Sequence, residues 1–165
     1  MHKLVEHLKF LLNSTNQHGV HSPFLYNYVT QCLYARSKYH DVKTIDVLLK
    51  SIRYFKVKNI ALSPKQKIIE HTIVTEFKYI AFENKPYDLV YMDISDFEGT
   101  FPLLSNKIHN DTLLLLNDIY KNRESIKLWK TIKKRKEITL TIDMFYCAVV
   151  FFRKEQVKEH FKIRI

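Results

Sequence analysis

A chain of 165 residues that is 46% hydrophobic and 13% aromatic predicts one domain with a sizeable core, and argues against a disordered protein. Two distant cysteines, Cys32 and Cys147, in apolar surroundings exclude a disulfide framework, and the charge-interrupted start Lys3-Leu4-Val5-Glu6-His7-Leu8-Lys9 excludes a signal peptide or membrane span, so a reduced, cytosolic protein is expected. The net charge of +10 arises from 27 basic and 17 acidic residues spread along the chain, which reads as a lysine-rich surface rather than a nucleic-acid footprint.

Residues 3–13 place Leu4, Val5, Leu8, Leu11 and Leu12 at helical spacing, on one apolar face. Ser22-Pro23 is a helix-start signal, a capping hydroxyl followed by proline in the first turn. The helix it opens runs to about Tyr34, with Phe24, Leu25, Tyr28, Val29 and Cys32 inward. A third helix carries Ile45, Leu48, Leu49, Ile52 and Phe55 on one side.

From residue 58 the pattern changes to alternating strands and helices. Strands are expected over 58–63, 77–82, 88–93 and 112–117, with helices over 65–75, 97–108 and 123–135. The continuous apolar run Leu113-Leu114-Leu115-Leu116 is that of a parallel strand covered on both faces. Segments 138–143 and 146–153 are too close for a crossover helix and predict an antiparallel hairpin. The tail from His160 alternates and suits an edge strand. Trp129 lies three residues from both Ile126 and Ile132, which predicts a packing role for the ring. The basic run Lys133-Lys134-Arg135-Lys136 closes that helix, where cations complement the helix dipole.

Only two glycines occur, Gly19 and Gly99, where average usage would give roughly a dozen. Neither follows a strand, and the turn after the first strand reads Ser63-Pro64-Lys65-Gln66-Lys67. Open parallel sheets normally hold a cofactor at that turn with glycine, because the backbone must approach the ligand closely. Three acids close strands instead: Glu83, Asp93 and Asp118. Ligands of such sheets sit outside the carboxyl ends of the strands, although acids there also cap turns and helices. Asp93 and Asp118, with Asn117, could take a hard cation through oxygen ligands. His18 and His21 lack a second ligand pair, and Cys147 reads as a core residue.

Three stretches carry a likeness to a known family. They are the block 9–24, ending His18-Gly19-Val20-His21-Ser22-Pro23-Phe24; the strand Tyr87-Asp88-Leu89-Val90-Tyr91-Met92-Asp93; and the C-terminal part, with His109-Asn110-Asp111, Asn117-Asp118-Ile119 and Phe151-Phe152-Arg153-Lys154-Glu155-Gln156. On these residues the chain resembles class I S-adenosylmethionine-dependent methyltransferase-like proteins of Bacteroidetes-type bacteria. The resemblance implies a Rossmann-like α/β sheet, mostly parallel, with an antiparallel C-terminal hairpin. An N-terminal helical segment (1–56) packs on a truncated core (57–165), the two forming one domain. It also implies cofactor contacts from Ser63, Glu83 and Asp93, with Glu83 on the ribose, and acceptor-side roles for Asp93 and Asp118.

Departures from that pattern define the functional expectation. Segment 83–87 is too short for the usual helix, strand and helix, so one edge unit is missing. Lysines at 65 and 67 oppose a sulfonium centre. Two readings follow: a methyltransferase acting on an oxygen or nitrogen of a small molecule, or an inactive binding or oligomerisation module on the same scaffold. Weak or absent S-adenosylmethionine binding is expected, with no nucleic-acid or membrane partner.

Overall fold

Four consecutive leucines, Leu113, Leu114, Leu115 and Leu116, sit at the centre of the structure because both of their faces are covered. The computed structural model describes residues 2–64, 66–82 and 84–165. The leucines belong to β4 (Ile108–Asn117), the middle strand of a seven-stranded sheet. Successive strand residues point to opposite faces, so Leu113 and Leu115 join one core and Leu114 and Leu116 the other. Such a strand cannot alternate apolar with polar, and it does not.

The other strands are β1 (Asn59–Ser63), β2 (Ala81–Phe82), β3 (Tyr87–Asp93), β5 (Leu140–Asp143), β6 (Cys147–Phe151) and β7 (Glu159–Lys162), in the order β2-β1-β3-β4-β6-β5-β7. Strands β2, β1, β3 and β4 run parallel; β6 is antiparallel to both β4 and β5. The hairpin forms as its spacing requires, and the tail adds β7 parallel to β5 at the edge. This is the Rossmann-like, mostly parallel arrangement with a reversed strand near the C-terminus.

The helices are α1 (His2–Asn13), α2 (Pro23–Asn27, continued by a π-helical turn Tyr28–Leu33), α3 (Lys43–Phe55), α4 (Lys67–Glu76), α5 (Phe97–Leu104) and α6 (Arg123–Lys134). One face of the sheet is covered by α2, α3 and α4 through Leu25, Tyr28, Leu48, Ile52 and Ile73. The other is covered by α5 and α6 through Phe97, Phe101, Trp129 and Ile132, with Phe10 of α1 at its margin. Ser22 caps α2 by accepting from the Leu25 N–H at 3.4 Å, ahead of Pro23. The Ser22 hydroxyl also donates to Gln156 at 2.8 Å, and the Arg153 guanidinium lies 4.3 Å over the Phe24 ring. The N-terminal and C-terminal blocks, far apart in sequence, are therefore neighbours.

Two elements differ from expectation. The strand expected over 77–82 shrinks to Ala81–Phe82, because Phe77 is buried and closes α4, its N–H donating to the Ile73 carbonyl at 2.8 Å. Strand β4 starts earlier, at Ile108, because Ile108 pairs with Tyr87 before an irregularity in the register. Only residues 83–86 join β2 to β3, although β1 stands between them in the sheet. Among the described residues no further strand or helix lies between β2 and β3.

At Gly99, in the third position of α5 after a charged residue, an added Cβ meets nothing within 4 Å. Gly99→Ala is therefore expected to stabilise the fold by about 0.5–1 kcal/mol, through helix propensity alone. A urea titration checks this; an unchanged or lowered midpoint contradicts it. Gly19 differs, because its Cβ would collide with the Thr15 side chain.

Candidate functional site

The carboxyl ends of β1, β3, β4 and β5 lie on one rim of the sheet, and the chemistry-bearing residues collect there. Asp93 ends β3 and Asn117 ends β4, and the Asn117 amide donates to the Asp93 carboxylate at 2.9 Å. Asp118 follows in left-handed backbone (φ 59°), fixed by its N–H donating to the Tyr146 carbonyl at 3.1 Å. The Lys121 ammonium stands 3.8 Å from its carboxylate.

Asp118, Tyr120, Lys121, Phe145 and Tyr146 line a 410 Å³ cavity, closed on the other side by Lys3 of α1 and by Val42 and Thr44 at the start of α3. Phe145 is also left-handed (φ 69°). Three non-glycine residues adopt positive φ among the described residues, and two of them wall this cavity. A left-handed aromatic residue is costly, on the order of 1–3 kcal/mol, and such outliers cluster at ligand sites.

Beneath the cavity, Asp143 ends β5 and is 2% exposed. Its carboxylate accepts from the Tyr120 hydroxyl at 2.8 Å, the Trp129 indole N–H at 3.2 Å and the Phe145 N–H at 3.0 Å. Burial pushes its acidity down, raising the pKa above the ordinary carboxylate range despite these three donors. The same burial, with Asp143 as neighbour, raises the Tyr120 phenol. Asp143 thus holds both the loop after β4 and the β5–β6 turn that frame the cavity.

The rim beside β1, where the resemblance leads one to expect a cofactor, is built differently. A second cavity of 630 Å³ lies along β1, lined by Ala61, Leu62, Ser63, Phe82, Lys85 and Thr100, with Glu70 of α4 as the one carboxylate among the described residues. The Ser63 hydroxyl donates to the Thr100 hydroxyl at 3.2 Å, toward α5. Strand β2 ends at Phe82, opposite Ile60, which is about 10 Å along the strand before Ser63. Glu83, expected on the ribose, lies outside the described residues. The exposed Lys85 belongs to the same lining.

The structure brings together Asp93 and Asn117, and places Asp118 on the 410 Å³ cavity; Ser63 lines the other. Among the described residues no group of three or more His, Cys, Asp and Glu side chains could hold a metal, and Asp93 is already bound to the Asn117 amide. Cys147 is fully buried, its thiol pushed up to about 12 by burial, consistent with a core residue. Sequence reading missed Asp143, Tyr120, Glu70 and Thr100. Only Asp143 left a trace, as a third strand-ending Asp beside Asp93 and Asp118.

No protein-family model matches the chain, and no curated protein matches it. Among solved structures it is similar to one described as a "putative caffeoyl-CoA O-methyltransferase" from Staphylococcus aureus, at 14% identity and TM-score 0.47, over 82% of this chain and 94% of that one. It is also similar to a "putative O-methyltransferase" from Klebsiella pneumoniae, at 8% identity and TM-score 0.47, over 81% and 91%. Among the described residues no helix is long and apolar enough to cross a membrane.

Proposed function

We propose that the chain is a class I methyltransferase-like protein whose acceptor half is built and whose cofactor half is reduced, acting as a binding or oligomerisation module on that scaffold. The observation that carries this reading is the early end of β2 opposite Ile60, with the four-residue return to β3. It removes the edge against which a nucleoside would rest. The small-molecule partner then belongs to the 410 Å³ cavity beside Asp118, within the usual range for ligand pockets of roughly 300–1,000 Å³. Segments 1–56 and 57–165 act as one cytoplasmic unit in this reading.

Methyl transfer to an oxygen or nitrogen is the second reading, favoured by the strained backbone at Asp118 and Phe145 around that cavity. There Asp93 and Asp118 would orient the acceptor, and rate would come from alignment of two bound substrates. Calorimetric titration with S-adenosylmethionine and S-adenosylhomocysteine separates the two. Millimolar or absent binding is expected. Micromolar binding, weakened by Glu83→Ala but not by Asp118→Ala, overturns the module and restores the enzyme.

A further inference from the structure

A third cavity, of 890 Å³, opens on the opposite rim of the sheet, where β4 and β5 begin and β6 ends. Strand β3, from Tyr87 beside Ile108 to Asp93 beside Asn117, sets the two rims roughly 20 Å apart. The floor of this cavity is apolar. Phe101 packs nearly parallel to Phe152, with centroids 5.7 Å apart and planes 16° off, and to Phe97 at 4.7 Å and 11°. Ile108 and Pro102 extend that floor. One wall is a bulge in β4, where residues 109–112 stand opposite Asp88 alone. The Asn110 amide oxygen accepts from the Lys154 N–H at 2.9 Å and fastens the bulge to the chain leaving β6.

The basic run 133–136 was expected only to complement a helix end, but α6 stops at Lys134, and Arg135 and Lys136 turn onto this cavity. Arg135 is fixed from several sides. Its N–H donates to the Ile132 carbonyl at 3.1 Å, and its own carbonyl accepts the Lys158 ammonium at 2.7 Å. Its guanidinium lies 5.3 Å from the Phe101 ring centre and donates from Nε to Glu137 at 2.6 Å. Among the described residues nothing accepts from the two terminal nitrogens of that guanidinium. Glu137 is the one carboxylate in the described lining, and Arg135 already occupies it. Lys136 and Lys154 add two ammonium groups that no carboxylate of the described residues pairs with.

We propose that this cavity is a second binding site, for a small planar aromatic carboxylate or sulfonate. The ring lies against Phe101, Ile108 and Phe152, and the oxyanion takes the free fork of Arg135. A guanidinium presents two parallel N–H donors at the spacing of two such oxygens, and its stacking on Phe101 holds the fork in place. Phenyl rings attract a flat aromatic ligand through their quadrupoles, a contact an alkyl chain does not make. Three positive side chains against one paired carboxylate exclude a cation. The volume is within the roughly 300–1,000 Å³ usual for small-molecule pockets. The site shares no lining residue with the 410 Å³ cavity, so it stands whichever reading of that cavity holds.

Calorimetric titration of the full chain with three probes tests the proposal. The aromatic anion 2-naphthoate should saturate one site with a Kd of about 100 μM, an ordinary efficiency for a ligand of its size. Its neutral isostere 2-naphthamide and the aliphatic anion octanoate should each bind at least about tenfold more weakly. Arg135→Gln should weaken 2-naphthoate about tenfold and leave 2-naphthamide unchanged, because only the anion uses the fork. Lys154→Glu alters an exposed side chain and keeps the backbone bond to Asn110, so the fold is retained even if Arg135→Gln loses it. It should weaken 2-naphthoate about threefold at low salt, and less as salt is added. Amide resonances of Ser105, Ile108, Asn110 and Arg135 should shift on titration, while those of Asp118 and Tyr146 stay still. Absence of saturable 2-naphthoate binding below the millimolar range overturns the site, as do shifts confined to the 410 Å³ cavity or to α1. Equal binding of 2-naphthamide overturns the oxyanion assignment, and equal binding of octanoate overturns the aromatic one.

Discussion

Replacing Trp129 by Ala is expected to cost the fold about 3–5 kcal/mol, the largest effect of any single change considered for this chain. The ring is 2% exposed and sits in the core between the sheet and α6, beside Ile132 and against Phe97's cluster. Its indole N–H donates to Asp143, so truncation also removes one of the three donors holding a buried carboxylate. The Lys133 ammonium covers the outer side of the ring, 5.5 Å from its centre. Denaturant titration measures the loss, and the wild-type tryptophan emission should be that of a buried indole. A cost below about 1 kcal/mol would contradict the packing role.

The second large effect is at Asp143. Asp143→Ala leaves the Tyr120 hydroxyl, the Trp129 indole and the Phe145 N–H without their acceptor. Unsatisfied buried donors cost about 1–3 kcal/mol each, so a total loss of about 3 kcal/mol at neutral pH is expected after partial relaxation. Asp143→Asn keeps an acceptor for Tyr120 and Trp129 and should lose about 1 kcal/mol. The pH dependence has a definite sign. The folded protein holds the Asp143 proton more tightly than the unfolded chain does, since burial raises its pKa. The contribution is therefore fully present below the ordinary carboxylate range and is lost as pH rises through the folded value. The gap between wild type and Asp143→Ala should narrow as pH increases across that window. A gap that widens with pH would place the carboxylate in a different electrostatic setting.

The candidate site was legible in part. Asp93, Asn117 and Asp118 announce themselves because acids at the carboxyl ends of parallel strands converge on one rim. Asp143 left only the trace of ending a strand, which did not place it at the site, because a hairpin strand need not share that rim. It does so here because β5 runs parallel to β4 on the far side of the reversed β6. The strained turn at Phe145 left no mark either. Left-handed backbone is signalled by glycine, and this chain places an aromatic residue there.

By itself, the sequence determined the elements whose evidence is local. The leucine run of β4, the Ser22-Pro23 start of α2, the hairpin 138–153 and the inward face of α6 all follow from spacing and turn chemistry over a few residues. Tertiary structure alone decided the rest. Phe77 could extend a strand or close a helix, and burial against the α2–α4 core chose the helix end and shortened β2. The periodicity of α1 declared an aliphatic face without saying what meets it. Only the packed structure shows that Phe10 and His7 turn inward while Leu4, Leu8 and Leu12 remain outside. The physical reason is common to both cases: a local pattern fixes which side chains share a face, but what the face meets is set elsewhere in the chain.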